Sequence, residues 1–251
     1  MKALIISDIN SNIVALEAIW KREKDSDVIY CAGDLVDYGP YPKEVIAWVR
    51  EHRVVCVKGN HDEKVVRLYR RQEELWSVAD EERTWAHDNA QKLDEDDIAF
   101  LDGLPESVTF SIASTGYSMQ HMYRDYETIQ SLHAYREFWE RQTKEPIRSM
   151  PEKRLIFGHT HRRCVHYLSD DELWMNPGSV SYRRPDDPCK QAHYITITNG
   201  QIELKGIDYD RSLLLQATLN TPLKYQGERE TGHPSQFSDT VVLVGYFLPG
   251  G

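Results

Sequence analysis

The chain is poor in cysteine and in positive charge, and it has no apolar run of the roughly 20 residues needed to cross a membrane. Four cysteines occur in 251 residues. Cys31, Cys56, Cys164 and Cys189 show no C-x-x-C spacing, which leaves no cysteine-based metal or redox motif. Cys31 and Cys56 lie in apolar, strand-like runs and read as buried reduced thiols. Thirty basic residues face 40 acidic ones, for a formal net charge of −10. That balance disfavours a broad phosphate-backbone surface, so duplex nucleic acid is not an expected partner, whereas divalent cations suit such a chain. The apolar run behind Met1 is too short for a signal peptide. A cytoplasmic location with no membrane partner is therefore expected.

What the chain does have is an apolar fraction of 40%, enough for a substantial core in one large domain or one domain with an insertion. Its first hundred or so residues alternate between strand and helix. Runs at 2–7, 28–32 and 54–57 read as strands. Between them Ile13, Leu16, Ile19 and Trp20 recur at helical spacing, with Ser11 or Asn12 as the N-cap. Pro42 suits the first position of a second helix that buries Val45, Ile46 and Val49. Strand–helix–strand repeats imply right-handed crossovers and a largely parallel sheet.

Residues 63–104 are charged and helix-forming and read as a helical insertion, with Asp94–Asp97 as an acidic helix start rather than a metal site. Strand character returns at 108–112, 117–121, 155–157, 165–168 and 194–198. Asn199-Gly200 makes a hairpin to 202–204. The expectation is an α/β fold with two facing sheets, the first more parallel and the second more antiparallel. An aromatic, basic loop or helix at about 122–149 interrupts the strands, and a strand at 240–248 is expected without a visible partner.

Five short segments carry the chemistry: Asp8-Ile9-Asn10, Gly33-Asp34, Gly59-Asn60-His61-Asp62, His121, and Gly158-His159-Thr160-His161. Each follows a strand-like run, and sheets of this kind gather ligands beyond the carboxyl ends of their strands. A lone Asp there is usually a turn former, and a lone His a satisfied structural one. Together the segments offer carboxylates, an amide and imidazoles enough for two adjacent divalent metals, with Asp34 the central candidate to bridge them. Histidines 52, 87, 133 and 166 lack this context and read as surface or packing residues.

This order of motifs resembles the calcineurin-like metallophosphoesterase superfamily. The fuller stretches Gly33-Asp34-Leu35-Val36-Asp37-Tyr38-Gly39-Pro40 and Asn176-Pro177-Gly178-Ser179-Val180 resemble its small bacterial phosphodiesterase branch. The similarity spans about residues 1–210, leaving 211–251 as an extension of unassigned role. The resemblance implies a four-layer αββα sandwich. It also implies two divalent ions, among manganese, iron, magnesium, nickel and zinc, with manganese favoured. Asp8, Asn10, Asp34 and His161 would hold one, and Asp34, Asn60, His121 and His159 the other, with a bridging hydroxide attacking phosphorus.

His61 would touch the phosphate or protonate the leaving oxygen. Asp37 either orients His61 or only shapes the Asp-Tyr-Gly-Pro turn. Arg124 and the nearby Tyr123, Tyr126, Tyr135, Phe138 and Trp139 either form a rim that grips a phosphate and stacks on a base, or pack the insertion onto the sheets. Tyr38 is the other candidate substrate contact. It stands where protein serine/threonine phosphatases carry an arginine, which argues against a phosphatase of that type.

Two departures stand out: the superfamily usually has histidine at position 10 and commonly glycine at 11, here Ser11. An amide oxygen suits hard cations but is a poorer donor for softer metals, so the first site should bind more weakly or prefer harder metals. The expected activity is hydrolysis of a small phosphodiester or phosphomonoester. The rival readings are a weakly active or inactive scaffold of the same fold, and a protein that binds a nucleotide without turnover.

Overall fold

The computed structural model describes residues 1–181, 189–221 and 223. In chain order the elements begin with β1 (Lys2–Ile6), α1 (Ile13–Glu23), β2 (Val28–Cys31), α2 (Pro42–Glu51) and β3 (Val55–Cys56). Four helices follow: α3 (Asn60–Arg70), α4 (Gln72–Ser77), α5 (Trp85–Lys92) and α6 (Glu95–Asp102). Then come β4 (Ser107–Ile112), β5 (Thr115–Gln120), α7 (Leu132–Gln142), β6 (Glu152–Ile156), β7 (Cys164–Tyr167) and β8 (Glu172–Asn176). The described part ends with β9 (Ala192–Thr198), β10 (Gln201–Ile207) and α8 (Ser212–Leu219).

These strands form two five-stranded sheets, β10-β9-β1-β2-β3 and β4-β5-β6-β8-β7. Side chains alternate across each strand, and the alternation builds four layers. In β1, Leu4 and Ile6 face the helices packed on the first sheet. Ala3 and Ile5 instead join Tyr117, Met119, Ile156 and Met175 in the apolar layer between the sheets. On the far side of the second sheet, Leu155, Phe157 and Trp174 pack against Tyr135, Phe138 and Trp139 of α7. The αββα expectation holds.

Local signals behave as their chemistry dictates. Asn12, not Ser11, caps α1 by accepting from the Ala15 amide. Pro42 opens α2. Asp94 caps α6 by accepting from Asp96 and Asp97. Asn199 and Gly200 turn the β9–β10 hairpin with φ of 52° and 85°.

One expectation fails: the second sheet is no more antiparallel than the first. In the first sheet β1–β2 and β2–β3 are parallel. In the second, β5–β6 and β6–β8 are parallel. The missing piece was β8, which lies between β6 and β7. All five of its residues are buried, so it shows no polar alternation, and its acidic first residue disguises it. That residue, Glu172, is matched by a forked ion pair from Arg136. The strand expected at 240–248 lies outside the described residues.

A candidate metal centre between the sheets

The cluster forms where the parallel strands of both sheets end. Asp8 and Asn10 follow β1, Asp34 follows β2, and Asn60 opens α3 just after β3. From the second sheet, His121 follows β5, while His159 and His161 follow β6. Asp8, Asn10, Asp34 and His121 are all at most 3% exposed.

The backbone there is bent on purpose. Asp8, Asn10, Asp34, Asp37, Tyr38, His159 and His161 all take left-handed φ, between 49° and 74°. Each such residue costs of order 1 kcal/mol, so the surrounding structure must hold them. It does so with specific bonds. The Asp8 amide donates to the Gly33 carbonyl, and the Asn10 amide to that of Asp34. Gly59 lies so near Asp34 that any side chain there would overlap its carboxylate. Asn176 donates to the Gly158 carbonyl at 2.6 Å, and Ser179 to that of Asp8 at 2.9 Å. The Asn-Pro-Gly-Ser stretch thus braces the two loops that bear Asp8 and His159.

Asp8 Oδ1 lies 3.0 Å from His161 Nε2. Asp34 Oδ2 lies 3.2 Å from His121 Nε2, and Asn60 Oδ1 is 3.0 Å from both His121 Nε2 and His159 Nδ1. His121 Nδ1 donates to the Ala32 carbonyl at 2.7 Å, which turns Nε2 toward the cluster. Buried Asp8 Oδ1 and Asp34 Oδ2 meet only the Nε2 nitrogens of His161 and His121 and lack hydrogen-bond geometry to them. His159 Nε2 has only Asp125 at 3.5 Å, and both polar atoms of Asn10 make no hydrogen bond. Leaving so many buried polar atoms unmade is expensive unless a cation completes them. Asp8, Asp34 and His121 bring their ligand atoms within 4.8 Å of one another, close enough for one ion. The donor set of carboxylates, amides and imidazoles fits divalent metals.

The electrostatics agree. Burial alone would raise the Asp34 pKa, but the charges of His121 and His61 outweigh it and hold the carboxyl well below its usual range. Burial and the charge of His121 push His159 down, toward the neutral imidazole a metal requires. Burial also opposes the charge on His61, yet Asp34 and the Asp37 hydrogen bond raise it to about 9. His61 Nδ1 meets Asp37 Oδ2 at 2.8 Å, and Lys64 Nζ lies 3.5 Å from the same oxygen. The Tyr38 ring leans over His61 with centroids 4.6 Å apart.

The family model described as the calcineurin-like phosphoesterase superfamily domain matches residues 1–200. The chain belongs to the calcineurin-like phosphoesterase superfamily. Among relatives of this phosphoesterase chain, the uncharacterized protein MJ0912 of Methanocaldococcus jannaschii is 25% identical, covering 90% of this chain and 95% of the relative. A metallophosphoesterase from Sphaerobacter thermophilus superposes with a TM-score of 0.68 at 20% identity, covering 99% of this chain and all of that one. The hypothetical protein PH1004 from Pyrococcus horikoshii OT3 gives 0.70 at 14% identity, covering 100% and 98%.

Not every candidate of the phosphoesterase chain meets the cluster. Arg124 is exposed, its guanidinium 5.0 Å over the Tyr123 ring. Tyr135, Phe138 and Trp139 are buried in the core under α7, so packing accounts for them. Tyr126 is different: it is 72% exposed and lies 4.8 Å from His159, ring to ring. Asp62, next to His61, is not among those candidates. Its carboxylate accepts backbone N–H bonds from Asp34, Leu35, Val36 and Gly59. Its place in the Gly-Asn-His-Asp run was the one signal available. Among the described residues, no helix is long and apolar enough to cross a membrane.

Proposed function

We propose that this chain hydrolyses a small phosphodiester or phosphomonoester with the help of two divalent cations, manganese favoured. One observation carries the reading: buried ligand atoms of Asp8, Asp34 and His121 come within 4.8 Å of one another, with the His61–Asp37 pair joined to Asp34 through the His61 amide. Asp8, Asn10, Asp34 and His161 would hold the first cation. Asp34, Asn60, His121 and His159 would hold the second. When bound, the cations supply a water ionised near neutral pH and offset phosphoryl charge.

The protein's own groups do the rest. Asp37 engages His61 Nδ1, which leaves Nε2 for the substrate. In the metal-free protein the Asp34 charge and the Asp37 hydrogen bond raise His61 to about 9, and a His61 held protonated by Asp37 would deliver its proton to the leaving oxygen. A cation on Asp34 would cancel that carboxylate's share of the shift and leave Asp37's share intact. Tyr38 flanks His61 as a substrate contact. Arg124, stacked on Tyr123, would have to swing away from that ring to reach a phosphate.

The test is metal analysis together with hydrolysis of bis-p-nitrophenyl and p-nitrophenyl phosphate, with Mn²⁺ supplied. Turnover dependent on added metal is expected. Folded protein that cleaves neither ester with any divalent metal overturns the proposal and favours the inactive scaffold.

A further inference from the structure

Helix α5 contributes no proposed ligand, yet one of its side chains reaches the centre. Asn89 is fully buried. Its Oδ1 accepts the Ser11 hydroxyl at 2.5 Å and the Asp37 amide at 2.9 Å. Its Nδ2 donates to the Gly39 carbonyl at 2.8 Å. One amide thereby joins the loop that presents Asn10 to the loop that presents Asp37.

Both loops are strained at the point of attachment. Asn10 and Ser11 have φ of 49° and 53°, and Asp37 and Tyr38 have 74° and 50°. The loops also touch directly: any side chain at Gly39 would overlap the Asn10 carbonyl, and the Tyr41 amide donates to the Ser11 carbonyl at 3.1 Å. Asn89 is itself well anchored, with Trp85, Ala86 and Ala90 of the same helix buried. Lys92 adds a second tie from α5, donating to the Pro40 carbonyl at 3.0 Å.

By contrast, the Asn10 side chain makes no hydrogen bond of its own. With no such bond, its amide oxygen is placed by packing and by the backbone that carries it.

We propose that Ser11 and Asn89 form a positioning pair, which fixes Asn10 toward the first cation and holds Asp37 in register with it. This rests on the metal-dependent reading above. A purely structural pair would stabilise the fold without altering affinity in folded protein. A positioning pair alters the weaker metal site itself.

Ser11→Gly separates the two. Glycine relieves the left-handed backbone while removing the hydroxyl, so the losses and gains in stability oppose each other. Mn²⁺ titration of metal-free parent, Ser11→Gly, Asn89→Ala and the double variant is the measurement, with kcat and KM determined alongside. Each single variant should weaken the weaker Mn²⁺ site about tenfold and spare the tighter one. The double variant should be no worse than the worse single, as expected for partners in one unit. The kcat should fall with KM little changed. If Asn89→Ala fails to fold, Ser11→Gly still decides. A folded Ser11→Gly protein with the parent's Mn²⁺ affinities and kcat overturns the proposal. A parent that binds no Mn²⁺ overturns both this proposal and the reading beneath it.

Discussion

The carboxylate of Asp62 holds the backbone of Asp34: Oδ2 accepts the Asp34 amide at 3.0 Å while also accepting that of Gly59 at 2.9 Å. Oδ1 accepts Leu35 and Val36. An asparagine could offer only one oxygen and would aim its own N–H groups at two backbone donors. Asp62→Asn should therefore cost at least about 2 kcal/mol in urea unfolding. It should also weaken metal binding through the displaced Asp34. An unchanged unfolding midpoint would show that these bonds are replaceable by water.

His61 shares its neighbourhood with ligands but is proposed to move protons. His61→Ala should lower turnover on the order of 10²–10⁴-fold. Metal content, measured by elemental analysis, should stay that of the parent. Parallel loss of both would make His61 a ligand.

Asn10 offers an amide oxygen where imidazole nitrogen would bind intermediate metals more strongly. Asn10→His should tighten the first site on the order of tenfold in competition against a chelating dye. Identical affinity and stoichiometry would remove Asn10 from the ligand set.

Far from the centre, Glu23 receives Lys2 Nζ at 2.7 Å and the Tyr194 hydroxyl at 2.8 Å. Burial would raise its pKa, but those hydrogen bonds and the charges of Lys205 and Lys2 lower it below the usual 4.5. A lowered folded pKa contributes stability above the unfolded value and loses it as pH falls through the folded one. Glu23→Gln should cost about 2 kcal/mol at neutral pH. That gap should narrow as the pH drops below 4.5. A gap constant down to about pH 3 would show that Glu23 is not the titrating group.

The candidate ligands were legible because each follows an apolar strand run, so the end of the run marks the place. Asp37 was left between two roles, and its 2.8 Å contact with His61 supports the orienting one. Asp62 and Asn89 were not legible in that way. Their partners are mostly main-chain groups, and a main-chain amide or carbonyl has no letter in the sequence. Likewise β8 is covered on both faces, and a strand without an exposed face has no period of two to read. For the aromatics at 135, 138 and 139 a rim and core packing are both open in the sequence, and the structure puts all three in the core.

The cluster draws on both sheets, and the two contribute different atoms. Asp8, Asn10, Asp34 and Asn60, the proposed oxygen donors, all follow strands of the first sheet and precede residue 61. His121, His159 and His161, the nitrogen donors, come from the second and follow residue 120. The centre is therefore whole only when the first and second halves of the chain have docked on each other, and the bond that the His159 amide donates to Asp8 Oδ2, 151 positions away, is one that ties them.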